Sequence, residues 1–449
     1  MLLVKIALGL FGLGIVVFIH ELGHFLAARL MKIDVEAFSI GWGNPILKKK
    51  IGAVEYRLGM FPVGGYCKMR NETDYKEAWE NMKNGVTADK GSYLAASPAA
   101  RILVSFAGPF FNLLLAIFVF SVMWGIGFEI KTFGNKIILA SELTPGESYP
   151  ADAAGLKTGD RIINIAGNNI SYYHEIQENI AVNPDRPLPI TVERNGENLH
   201  FIIKPALDKS TGAGRIGVSY WADPVIERVI EGSYAEKAGL QAGDIILSAN
   251  GEALRNTFDL ARIRDQKPQN LVLEYERRGA RGKAEFSAGE QEGELGFYWA
   301  SIQYHTPNLS FPFAVAKGVK ESYKTLAISI KSLKLLFMGI DLTQAVSGPV
   351  RITYMMGDMA AQSMEQGLGT AVRSMAEFIA LISIALCVMN LLPLPILDGG
   401  MILLYLVELI RRKPAHPRAI SIFQTCGIVI IVGLMIFALF GDILFFIRY

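Results

Sequence analysis

Three cysteines, Cys67, Cys387 and Cys426, are all that 449 residues contain. None sits in a Cys-x-x-Cys pair and two lie in long apolar runs, which argues against a disulfide framework and against a cysteine zinc site. Charge is scarce as well: charged residues make up 19% of the chain and the formal net charge is +2. No basic stripe interleaved with aromatics occurs, so no nucleic-acid partner is expected. Apolar residues take the place of charge. They account for 51% of the sequence, and the mean hydropathy is +0.30, a balance that points to a membrane protein. The length exceeds one ordinary domain, so several units are expected.

Four apolar runs meet the requirement of about 20 residues for a helix that crosses a bilayer. The first occupies residues 1–28 and is uncharged from Ile6 to Ile19. The second, 102–128, has no charge. The third, 378–407, has Asp398 as its one acid, and the fourth is 419–441. The first run resembles a signal peptide in having Lys5 before its apolar stretch, but it continues into HELGHFLAAR rather than a small-residue cleavage site, and a retained helix is expected. Segment 29–101 carries Arg29, Lys32, Lys48, Lys49, Lys50, Arg57, Lys68 and Arg70. The link before the fourth run carries Arg411, Arg412, Lys413 and Arg418. The positive-inside rule makes both cytoplasmic, with both termini and the region from about Glu129 to Glu377 outside.

That outer region holds an internal repeat. Residues 151–170 read ADAAGLKTGDRIINIAGNNI and residues 235–254 read AEKAGLQAGDIILSANGEAL. Each has A-G-L-x-x-G-D, an apolar strand and a glycine turn, which predicts two similar β-rich domains over 129–207 and 215–291. The pattern resembles PDZ domains, whose sheet edge takes extended peptide; plain spacer domains are the alternative. Between 312 and 340 apolar residues recur at helical spacing with lysines among them, predicting amphipathic helices on a membrane surface or packed on the outer domains. In 53–70, Val54, Tyr56 and Leu58 alternate with polar residues before a Pro62–Gly65 turn signal, predicting a hairpin close to the membrane. Segment Asp74–Ser92 is polar and has no assignable role.

His20-Glu21-Leu22-Gly23-His24 is an H-E-x-x-H motif. On a helix the two histidines stack on one face, where they can share a Zn²⁺, while Glu21 reaches a metal-activated water. Ionisable residues within a membrane helix mark a functional site by default. A catalytic zinc takes three protein ligands, and the best third candidate is Asp398 in NLLPLPILDGG. Pro393 and Pro395 interrupt helical bonding there, and the charge topology puts Asp398 on the cytoplasmic side with His24. Asn390 either binds substrate backbone and the oxyanion or pairs between helices. For Asn112, in GPFFN, helix packing is favoured. His174, His200, His305 and His416 have no ligand partner at metal spacing and read as ordinary residues.

HELGH, the paired A-G-L-x-x-G-D repeats and NLLPLPILDGG together resemble the site-2 protease family of intramembrane zinc metalloproteases, in particular the regulator-of-sigma-E branch with two tandem PDZ domains. The likeness runs through essentially the whole chain in order. It implies a polytopic α-helical membrane protein with four transmembrane helices and two extracytoplasmic PDZ-like domains, set in the bacterial inner membrane. It implies zinc held by His20, His24 and Asp398, with Glu21 as general base. It implies a reentrant β-element in which Gly64, Gly65 and Tyr66 lie near the substrate. Its expected partners are the lipid bilayer and a membrane-embedded substrate, an anti-sigma factor trimmed beforehand by another protease. Clearance of signal-peptide remnants by the same chemistry, and a non-catalytic peptide-binding scaffold, are the competing expectations.

Overall fold

The structure, a computed structural model, describes residues 2–72, 90–144, 146–208, 212–266, 268–287, 295–335, 348–365, 367–413 and 415–448. Most of Asp74–Ser92, the end of 312–340 and the last residues of 215–291 lie outside them. The chain forms two compact units, Met1–Phe128 with Pro307–Tyr449, and Glu129–Thr306.

The first unit contains helix α1 (Leu2–Leu30), strands β1 (Val35–Ile51) and β2 (Val54–Met69), and helix α2 (Pro98–Ile126). After the second unit come α3 (Phe311–Leu335), α4 (Pro349–Glu365), α5 (Leu368–Asn390), α6 (Asp398–Arg411) and α7 (Pro417–Arg448). Among the described residues four helical stretches are long and apolar enough to cross a membrane: Lys5–Leu30, Pro98–Ile126, Leu368–Asn390 and Pro417–Phe445. Apolar side chains such as Phe118, Val429 and Ile436 are exposed along them, as a lipid-facing surface requires.

Two boundaries differ from the sequence expectation. The third span was expected to run on through Asp398. Instead it stops at Asn390, and Asp398 opens a separate helix. Pro393 and Pro395 lack the N–H that would continue the ladder, and Ile396 adopts φ 78°, a strained value for a β-branched residue. The amphipathic stretch 312–340 was expected on a membrane surface or on the outer domains. As α3 it packs within the helical unit, with Leu326 and Leu333 against Ala116, Phe120, Ala380, Ile384 and Val388 of α2 and α5. An apolar stripe has no preference between lipid and a neighbouring helix, and the spans supply the neighbour.

The expected 53–70 hairpin is also rearranged. The tight turn is at Gly52–Ala53, and the two arms of 53–70 do not pair with each other. Residues 37–40 of β1 lie between them: Phe38 is partnered by Cys67 on one side and Tyr56 on the other. A strand inserted from the preceding segment satisfies both arms at once, which periodicity within 53–70 cannot reveal.

Buried polar contacts tie the helices together. Arg101 of α2 donates to Glu408 of α6 at 2.7 Å, and its guanidinium lies 4.5 Å from the Tyr405 ring centroid. Asp442 of α7 accepts from the backbone N–H groups of Gly348 and Arg351 at the start of α4, where a helix N-terminus favours a carboxylate. Lys5 of α1 pairs with Asp358 of α4.

The second unit explains its repeated motif. One four-stranded sheet orders Asn168–Asn169, Arg161–Ile165, Leu188–Arg194 and Glu197–Ile203. The other orders Glu252–Ala253, Ile245–Ala249, Asn270–Arg277 and Ala280–Ser287. The motif aspartates, Asp160 and Asp244, are buried. Arg194 and Arg277 each clasp one of them through Nε and Nη2 at 2.7 Å, and Nη2 also reaches the carbonyl of Gly155 or Gly239. The boundary expected at Arg215 shifts. Strand Val218–Tyr220 pairs back to Ile137–Leu139 and Ile216 lies in the first core. The equivalent strand of the second repeat, Phe297–Trp299, falls beyond Gln291. Asp244 is buried while Arg277 keeps part of its guanidinium in water, so Asp244→Ala removes the acceptor of Arg277 and of the Gln241 N–H and should cost about 1–3 kcal/mol. Hydrogen exchange on the full chain should show faster exchange in the 245–287 sheet and little change in the 161–203 sheet.

Candidate metal centre

H-E-x-x-H lies in the last turns of α1, an uninterrupted helix from Leu2 to Leu30. Four-residue spacing stacks the imidazoles, and their Nε2 atoms are 3.1 Å apart. Asp398, the first residue of α6, brings its two carboxylate oxygens to 3.3 Å from His20 Nε2 and 3.5 Å from His24 Nε2. The three residues form the one His/Cys/Asp/Glu cluster with metal-holding geometry among the described residues. Ligand atoms about 2.0–2.1 Å from one tetrahedral zinc lie about 3.3–3.4 Å from each other, so the observed separations match a shared ion.

The far side of each ring supports this. His24 Nδ1 is 2.8 Å from the carbonyl oxygen of Val104. A carbonyl only accepts, so Nδ1 carries the proton and Nε2 presents its lone pair. His20 Nδ1 is 3.3 Å from the side-chain amide of Asn112, which is fully buried. A metal on His20 Nε2 requires a proton on Nδ1, which in turn requires the amide oxygen, not the nitrogen, to face the ring. In that orientation Asn112 Oδ1, which otherwise has no partner, accepts the imidazole N–H.

Local sequence makes room for the cluster. A Cβ on Gly108 of α2 would lie 2.4 Å from His24 Nε2 and 2.8 Å from His20 Cε1, so no larger residue fits without displacing the rings. The loop 391–397 folds back on the start of α6. Side chains at Gly399 and Gly400 would meet the carbonyls of Leu391 and Leu394 at 2.3 and 2.1 Å. Asp398 therefore sits at the positive end of the α6 dipole, with the loop packed beneath it.

The cluster opens into a cavity of about 560 Å³ whose lining includes Glu21, Gly64, Gly65, Tyr66, Cys67, Met69, Glu72, Asn390 and Ile396. The residues singled out in the sequence are thus brought together. Asn390 Nδ2 lies 3.5 Å from His20 Nε2, the carboxylate of Glu21 faces the backbone N–H of Cys67, and the Tyr66 hydroxyl accepts from Arg57 at 3.0 Å. The other histidines lie elsewhere: His174 faces Thr132, His200 faces Thr191 and His305 pairs with Glu129.

Asn112, for which pairing between helices is the favoured expectation, does bond from α2 to α1, and only the crossing of the two helices makes His20 its partner. Sequence reasoning missed one participant. Glu72 carries no motif; it reaches the cavity only because β2 ends there, and burial pushes its carboxyl above the ordinary value.

Comparisons with known proteins agree with this geometry. The model of peptidase family M50 matches residues 8–434. A protein of Treponema pallidum named as a zinc metalloprotease is 34% identical over 447 residues, 99% of each chain. One of Campylobacter jejuni with the same designation is 30% identical, covering 95% of this chain and 90% of its own. The regulator of sigma-E protease RseP of Salmonella typhimurium is 28% identical across 98% of both chains. Read with the paired imidazoles, the apposed carboxylate and the four apolar helices, these matches place the chain in peptidase family M50, the site-2 protease family of zinc metalloproteases.

Proposed function

We propose that this zinc protease cuts the membrane-spanning segment of a single-span membrane protein. The reading is carried by one observation: the donors His20, His24 and Asp398 meet on helices of the membrane unit, beside a strand edge. When bound there, zinc supplies a lowered pKa for its water and a Lewis acid for the scissile carbonyl. Glu21, on the same helix but not a ligand, takes the proton of the attacking water and returns it to the leaving amide nitrogen. Asn390, whose amide nitrogen lies 3.5 Å from His20 Nε2, is proposed to donate to the carbonyl oxygen as charge develops on it.

A membrane helix hides its carbonyls in its own hydrogen bonds, so cleavage requires local unwinding. The stretch Gly64–Met69 of β2 supports this step by offering an edge on which an extended segment can be held. The two repeats of the second unit are proposed as PDZ-like domains outside the cytoplasm that bind peptide or exclude bulky substrates. The basic residues of segment 29–101 and of the 411–418 link support a cytoplasmic placement of the catalytic end. The designation of the Salmonella relative supports an anti-sigma factor as substrate. Clearance of signal-peptide remnants would use the same chemistry. Substrates trapped by the Glu21→Gln protein and identified by mass spectrometry decide between them.

Glu21→Gln should retain about one zinc per chain and lose about 10²–10⁴-fold in cleavage rate; retained full cleavage would sink the assigned role. Chelation should abolish cleavage and added zinc restore it, whereas a peptide-binding scaffold would hold no stoichiometric zinc. If Asn112 orients His20, Asn112→Leu should weaken zinc affinity about 10–100-fold. Competition with a chromophoric chelator reads that loss without any substrate, and unchanged affinity would return Asn112 to helix packing.

A further inference from the structure

The edge of β2 that faces the cavity is already occupied. The N–H of Arg70, just beyond the strand, donates to Asp34 on the β1 side at 2.9 Å. In an antiparallel pair alternate residues point their N–H groups to opposite edges. Tyr66, Lys68 and Arg70 therefore face β1, and Gly65, Cys67 and Met69 face the cavity. Of these outward donors, Cys67 N–H faces the carboxylate of Glu21, and Met69 N–H is held by Glu72 Oε2 at 3.2 Å. Glu21 lies flat against the strand, so that a Cβ on Gly65 would be 3.2 Å from its Cγ. Two carboxylates thus take the places that two carbonyl oxygens of an added strand would take.

We infer that Glu72 is an internal stand-in for the substrate strand, a specificity-determining residue that an incoming segment must displace from Met69 N–H. The inference rests on the protease reading above and deepens it. An extended segment pairing with this edge exchanges the Met69–Glu72 bond for a bond to its own carbonyl. At Cys67 the same exchange frees Glu21 from the strand. The two events differ in consequence: freeing Glu21 delivers the base to the water, whereas freeing Glu72 only opens the edge. A segment that stays helical has no carbonyl to offer and cannot make the exchange. The edge is closed to folded helices and open to unwound ones, and Glu72 sets how readily it opens.

The test uses purified full-length protein in detergent, with a short fluorogenic apolar peptide as probe. Glu72→Ala should lower KM about three- to tenfold, the worth of one charge-assisted hydrogen bond to be displaced, and leave kcat unchanged. Glu72→Gln keeps an uncharged acceptor and should fall between it and the wild type. Hydrogen exchange at the Met69 amide gives a readout independent of cleavage. It should accelerate in Glu72→Ala, stay near wild type in Glu72→Gln, and slow in the wild type at saturating peptide. An unchanged KM, or a tenfold loss of kcat at constant KM, overturns the inference. Should the wild-type protein cleave nothing, the protease reading fails by itself; Met69 exchange unaltered by saturating peptide is then the result that removes the stand-in role.

Discussion

Two imidazoles and a carboxylate among apolar helices are stable only when each polar atom has a partner, because the surrounding medium offers none. Much of the helical unit is arranged around that requirement. Val104 and Asn112, both on α2, face the outer nitrogens of His24 and His20. Ser383 of α5 donates to the Asn112 carbonyl at 2.8 Å, fixing the turn of α2 from which the amide projects. Arg101 and Glu408 hold α6 against the same helix, so the element bearing Asp398 is registered to the element bearing Asn112. The cost of burying that ion pair is large, and its return is positional.

The candidate metal site was legible in sequence because each of its residues breaks a local rule. A charged pentapeptide inside an apolar run and a single aspartate in another are conspicuous, and the prolines before Asp398 announce that the helix cannot continue. The repeats were legible for a different reason: the same Gly-Asp signature occurs twice, and each aspartate must be buried in the same way. What completes it was not legible. Arg194 and Arg277 are ordinary surface letters until the strand that carries them folds beside the motif.

The strand region shows where one-dimensional reading stops. Alternation in 53–70 identified extended chain correctly but assigned the partners wrongly, since pairing depends on which segment inserts between the arms. Glu72 had no signal because its role is defined by an edge that exists only after β1 and β2 have paired. The amphipathic stripe of α3 likewise stated that one face must be covered without stating by what.

The division of the third apolar run into α5 and α6 has a consequence for biosynthesis. His20 leaves the ribosome well before Asp398, which is carried on a separate short helix. Every earlier intermediate in translation holds His20, Glu21 and His24 but lacks the carboxylate of Asp398. The candidate metal centre is therefore completed only after the rest of the membrane unit before α7 has been synthesised. While the earlier helices of the unit are being made, the chain thus lacks one of the three side chains that meet in the candidate metal centre.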